Sequence, residues 1–134
     1  MPEIANFVNH GASLITPAIV DKLLHSLPLW KVEFAQITAP KYPHLSNQLE
    51  FLAAVVEDFA EGADKELPLY AVAQAAFALI YAHKKAGIIP GPVPELATAD
   101  KSSVVRAALI QNERSLSAYA KRHGLEWATV TSKP

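Results

Sequence analysis

Cysteine is absent from this chain of 134 residues, and methionine occurs once. Without a thiol, a disulfide scaffold, a Cys-based zinc finger and a thiol nucleophile are all excluded. Charge of one sign is also lacking. Twelve Lys and Arg stand against 13 Asp and Glu, a net charge of -1. Such a balance exerts no overall pull on nucleic acid or an anionic membrane. Glycine is scarce, at five residues, and neither G-x-x-x-x-G-K-S/T nor G-x-G-x-x-G occurs, so no phosphate-cradling loop is expected. G-x-S-x-G and H-E-x-x-H are missing as well. No Glu is followed by His at the third position, which removes the di-iron bundle pattern. The N-terminal residues carry no basic segment followed by an apolar run, so no signal peptide is read, and the cytoplasm is the simplest compartment.

What is present is a chain that is 51% apolar and 19% charged. That composition belongs to a folded domain rather than a disordered segment, and the length fits one domain over 1–134. Helical periodicity dominates. Thr16-Pro17 reads as an N-cap followed by Pro at the first helical position. Ile19, Val20, Leu23, Leu24 and Leu27 follow as a stripe. Pro28 predicts a break or kink near Leu27, with a second short helix burying Leu29, Trp30, Phe34 and Ile37. Leu45, Leu49, Leu52, Val56 and Phe59 step by four and three, the spacing of one buried helix face, and Gly62 suits the end of that helix. Glu50, Glu57, Asp58 and Glu61 fall on its solvated side.

The most apolar stretch runs from Leu67 to Ala82, with Gln74 its one strongly polar side chain. Its reach, roughly 24 Å as a helix, falls short of a hydrocarbon core of about 30 Å. A helix apolar on all sides belongs at the centre of a bundle. Prolines at 90, 92 and 94 predict a stiff, extended loop over 88–97. A last long helix is expected from Thr98 or Asp100 to His123, with Gly124 beyond it and Leu125 and Trp127 folding back. Asn112 lies within its apolar stripe, either hydrogen-bonded in the core or near an edge. The fold expected is therefore all-α: a compact bundle of four to five helices around a central apolar helix, closed at one end by the proline loop.

Candidate chemistry is sparse. The five histidines are scattered, and no pair has the i, i+4 spacing of a metal site. Charge is segregated along the chain. Residues 50–66 hold six acids and one Lys, and residues 101–123 hold five bases and one Glu. The two segments can pair within one chain or across a dimer. Nucleic-acid binding by the basic segment is not expected, because aromatic interleaving and reader motifs are missing.

The stretch Gly87-Ile88-Ile89-Pro90-Gly91-Pro92-Val93-Pro94, continuing through Asp100-Lys101 to Val104-Val105, resembles the bacterial YkvA-like domain of unknown function. That family's motif is approximately D-L-I-P-D-x-I-P-x-x-G-x-L-D-D followed by an apolar helix. Pro90, Pro94, the aliphatic residues before them and Asp100 fall in register. Gly87, Gly91 and Lys101 replace family acids, and a lone carboxylate at Asp100 is a poor hard-metal site. The resemblance covers residues 81–105. It implies a helical fold and no established activity, with some members associated with membranes.

No catalytic residue, cofactor or metal is expected. The leading functional expectation is a non-enzymatic protein acting through a protein partner or self-association as a homo-oligomer. The first alternative is a small-ligand binder or enzyme whose site lies at the proline loop beside His83, Lys84 and Asp100. The second is peripheral membrane contact through the apolar central hairpin.

Overall fold

The computed structural model describes residues 2–37, 42–83, 94–127 and 130. Among these residues there are six α-helices and no strand: α1 (Pro2–Ser13), α2 (Pro17–Ala35), α3 (Leu45–Ala60), α4 (Leu69–His83), α5 (Pro94–Gln111) and α6 (Glu113–Arg122). They form an all-α bundle. Lys84 and the proline loop through Val93 lie outside the described residues.

The central helix is α4, as its composition demands. Ala71, Val72, Ala75, Ala76, Ala78 and Leu79 are all buried, and α1, α2, α3 and α5 each pack against it. Its alanines let those neighbours approach closely. Leu69 and Tyr70 at its first turn are the exceptions and face solvent. Most of the rest of the helix lies in the core. Among the described residues no helix is long and apolar enough to cross one.

The N-terminal helix α1 was not foreseen in the sequence. Val8 is fully buried, and Phe7 sets its edge against Phe77 and Tyr81, with ring centroids 5.5 and 5.7 Å apart. Gly11 is where the Phe77 ring lies against the α1 backbone. A Cβ there would lie 2.2 Å from the Phe77 ring, so any side chain forces the ring aside.

The Thr16 cap forms as expected. Its hydroxyl accepts from the Ile19 amide at 3.2 Å, and Pro17 opens α2. The break at Leu27 does not occur. One helix runs through Pro28 to Ala35, because Leu27 and Phe34, on either side of the proline, are anchored in the core. Pro28 itself is exposed, so the carbonyl it deprives of a partner lies on the wet side of the helix. Leu29 also points outward, at 63% exposure, and not inward with Trp30 and Phe34.

Helix α3 buries Leu45, Leu49, Leu52 and Val56 as its spacing requires. Gly62, at φ +76°, ends it in the left-handed conformation that glycine adopts without strain. Two further expectations are corrected. Pro94 to Ala97 are helical rather than extended, because Pro94 is the first residue of α5 and needs no amide bond there. The last helix is not continuous. It is interrupted at Asn112, with φ -116° and ψ 21°, and α6 starts afresh beyond it.

Asn112 is a hydrogen-bonded core residue. Its Nδ2 donates to Gln74 Oε1 at 2.8 Å and to the Ala108 carbonyl at 2.8 Å. Gln74 Nε2 in turn donates to Asn9 Oδ1 at 2.9 Å. The polar side chain of the central helix is thus tied to α1 and to the α5–α6 junction. Beyond α6, Gly124 takes φ +69°, the Leu125 amide donates to the Ala120 carbonyl at 2.8 Å, and Trp127 folds back edge-on to Phe51.

Ala76→Asp places a charge and added volume where there is no exposure at all. The expected outcome in urea denaturation is a loss of at least about 4 kcal/mol or failure to fold. Gly11→Ala should cost about 1–3 kcal/mol by overpacking, and Phe77→Leu in the same chain should recover part of that loss.

Candidate functional site

Three groups of side chains hold the residue types that chemistry requires. The first is built at the α3–α4 turn. After Gly62 the chain reverses, and Asp64 accepts at Oδ1 from the Glu66 amide at 2.9 Å and the Leu67 amide at 3.2 Å. This Asx turn delivers the chain to Pro68 and the start of α4. The Asp64 side chain is only 2% exposed. Arg122 approaches it from the end of α6, Nε to Oδ2 and Nη2 to Oδ1, both at 3.0 Å. His123 Nε2 lies 2.7 Å from Oδ2. One turn back on α6, the Tyr119 hydroxyl donates to Asp58 Oδ2, and Glu66 lies 3.2 Å from Arg122 Nε.

Burial acts on Asp64 to raise its pKa. The hydrogen bonds from His123, Arg122 and the Glu66 amide, together with the Arg122 charge, outweigh burial and hold the carboxyl below its ordinary value. The Tyr119 phenol is pushed up, first by burial and then by its bond to Asp58 and the neighbouring carboxylates. Tyr119 therefore stays a neutral donor. The resemblance to a catalytic array goes no further than residue type. Asp64 is saturated by backbone and side-chain donors, and Tyr119 is committed to Asp58. The group is an electrostatic clamp that fastens α6 to the α3–α4 turn. Here the acidic and basic segments meet within one chain.

The second group is the site expected from sequence. His83 closes α4 and stacks on Trp30, with centroids 4.0 Å apart and planes 15° apart. Its Nδ1 is 3.0 Å from Glu33 Oε2, an ion-pair distance for a protonated ring but off the line of a good hydrogen bond. Asp100 lies in the second turn of α5, half-buried, and Lys84 lies outside the described residues. His83 is brought to α2. Trp30 and Glu33 are the partners that sequence reasoning missed, since they lie about 50 residues earlier on a helix expected to be broken.

The third group lines a surface cleft of about 340 Å³ between α2 and α3. Two polar contacts cross it. Lys31 Nζ pairs with Glu57 Oε2 at 3.0 Å, and the Ser46 hydroxyl donates to the Phe34 carbonyl at 3.0 Å. Among the described residues no group of three or more His, Asp or Glu could hold a metal ion.

No family model, curated protein or solved structure matches this chain.

The clamp makes stability depend on pH in two directions. Asp64 has a folded-state pKa below its unfolded one, about 3.9. Its contribution is complete above that value and is lost as pH falls through the folded value. Asp64→Asn should cost about 3 kcal/mol near neutrality and flatten the acid limb of a stability–pH curve measured by urea titration. Tyr119 has a raised folded-state pKa, so its contribution is complete below about pH 10 and is lost above it. Tyr119→Phe should cost about 1.5–3 kcal/mol at neutral pH, as for a hydrogen bond to a charged group, and should reduce the alkaline loss.

Proposed function

We propose that this protein acts by protein association, beginning with a second copy of itself, through the outer face of α2. The observation that carries this reading is the exposed apolar pair Leu29 and Val32, at 63% and 55% exposure, beside an exposed Pro28. Lys22, His25, Leu29, Val32, Glu33 and Gln36 fall within one stripe at 100° per residue, and all are exposed.

Charge along the stripe is ordered. Lys22 and His25 stand on the N-terminal side of Leu29, and Glu33 on its C-terminal side. A two-fold axis at Leu29 runs the paired helices antiparallel and brings His25 opposite Glu33 of the second copy, with Lys22 one turn further out. A parallel pair would place like charges together. The contact is isologous, as in most homodimers. A single helix pair buries less than the roughly 1,200 Å² of a standard interface, so the dimer is weak and concentration-dependent. The apolar composition of the chain, the ordered charge and the absence of catalytic motifs all favour this reading over an enzyme.

Sedimentation velocity from low to high micromolar protein is the direct test. Wild type should move from monomer toward dimer. Leu29→Glu should remain monomeric throughout, with melting temperature and helicity unchanged, since an exposed substitution alters stability by about 0.5 kcal/mol or less. Lys22→Glu should weaken the dimer, and adding Glu33→Lys should restore it. A wild type that stays monomeric at high concentration overturns the reading.

A further inference from the structure

A smaller groove lies between α1 and α5, with a volume of about 160 Å³. Ile4, Ala107 and Ile110 form apolar walls, and Ser103, Arg106 and Gln111 bring polar atoms to its edge. Arg106 is the unusual member. An arginine on a helix surface ordinarily extends its charged head into water. Here the side chain is half-buried, and its Nε is shielded from solvent with no acceptor. Its one polar neighbour is the Ser103 hydroxyl, 3.5 Å from Nη2, a weak contact at best. Among the described residues, no acid forms an ion pair with it. Lys31, Arg122 and His123, by contrast, each lie beside an acid.

A guanidinium drawn partly out of water without a counter-charge is destabilising unless something offsets it. We infer that the α1–α5 groove binds a small aliphatic monocarboxylate, with its carboxylate on Arg106 and its hydrocarbon chain against Ile4, Ala107 and Ile110. A guanidinium fork matches a carboxylate in charge and in planar geometry. The Ser103 hydroxyl is placed beside Nη2 to give a further hydrogen bond. One positive charge suits a monoanion, whereas phosphate would want more than one cation. Size sets a second limit. A cavity of about 150 Å³ holds benzene, so the groove accepts a ligand of about six to eight non-hydrogen atoms. This site shares no residue with the outer face of α2 and is independent of self-association.

The probe is 3-methylbutanoate, titrated into the full chain and followed by amide chemical shifts. Its neutral analogue 3-methylbutanamide and inorganic phosphate serve as comparisons. Saturable shifts are expected on Ile4, Ser103, Arg106, Ala107 and Ile110, with a Kd of about 1–10 mM for so small a ligand. The amide and phosphate should each bind about tenfold more weakly or worse. Arg106→Gln should abolish the shifts, and Arg106→Lys should retain a weakened response. No saturable shift in wild type, shifts that fall outside the groove, or equal binding of the amide or phosphate would overturn the assignment. The wild-type comparison of acid with amide stands even if the Arg106 variants fold poorly.

Discussion

The architecture depends on a helix that cannot face water on any side. Ten of the 15 residues of α4 are buried, so one flank against one neighbour would not hide it. Four other helices are needed to wall it in, and α1, α2, α3 and α5 are those walls. The requirement explains why Gly11 tolerates no side chain, because α1 must come close to reach the alanine-rich surface behind Phe77. It also explains how α2 survives Pro28. A mid-helix proline costs about 3 kcal/mol in propensity, but breaking α2 would uncover part of α4 and lift Leu27 or Phe34 from the core. Burying one such side chain contributes about 1.5–3 kcal/mol, so keeping both outweighs the proline.

The same constraint accounts for the break between α5 and α6. Gln74 is the single strongly polar side chain of the central helix before its terminal His83, and its amide must be satisfied where water has little access. Asn9, Gln111 and Asn112 supply the partners. Asn112 does so from a non-helical backbone conformation, and α6 starts afresh from it. As a separate helix, α6 needs another attachment. Leu116, Tyr119 and Ala120 bury one side, and the Asp64 clamp fixes its end. Segregated charge in the sequence is thereby given a physical role. The acids lie on α3 and the turn after it, and of the five bases on the last helices Arg122 reaches them, at a buried carboxylate rather than along two exposed faces. Exposed pairs contribute at most about 1 kcal/mol each, whereas Asp64 is shielded and accepts from several donors at once.

The fold class and the central helix were legible because a 16-residue stretch with one polar side chain allows few other places in a helical bundle. The Thr16 cap and the glycines at 62 and 124 were legible because their signals are local. What failed was local reasoning where tertiary packing decided the outcome, at Pro28 and at Asn112. Helix α1 has the spacing Ile4, Phe7, Val8, Gly11, which is helical, but the glycine hides the pattern until Phe77 is seen to fill its place. The clamp was visible only as two charged segments. That Asp64 would be the hub followed from its position two residues beyond Gly62 and two before Glu66, the geometry of an Asx turn, and no charge count contains that. The stack of His83 on Trp30 had no local signal either, since it depends on α2 remaining whole.

A polar or apolar group that the fold already uses is poor material for a separate function, so the informative residues are those the fold does not need. Asp64, Tyr119, Gln74 and Asn112 are all committed to holding helices together. Leu29 and Val32 are not, since replacing them with polar residues would leave every core side chain in place. Pro28 is more telling still, because almost any other residue at an exposed mid-helix position would make α2 more stable. Arg106 repeats the pattern on the other side of the economy of charge, as a cation held in a half-buried place with no acid to meet it. Natural sequences are locally consistent with their folds except where something other than stability has shaped them. In this molecule such departures include the outer face of α2 and the α1–α5 groove, which is the physical reason to assign function there and not to the clamp, whose residues look most like chemistry.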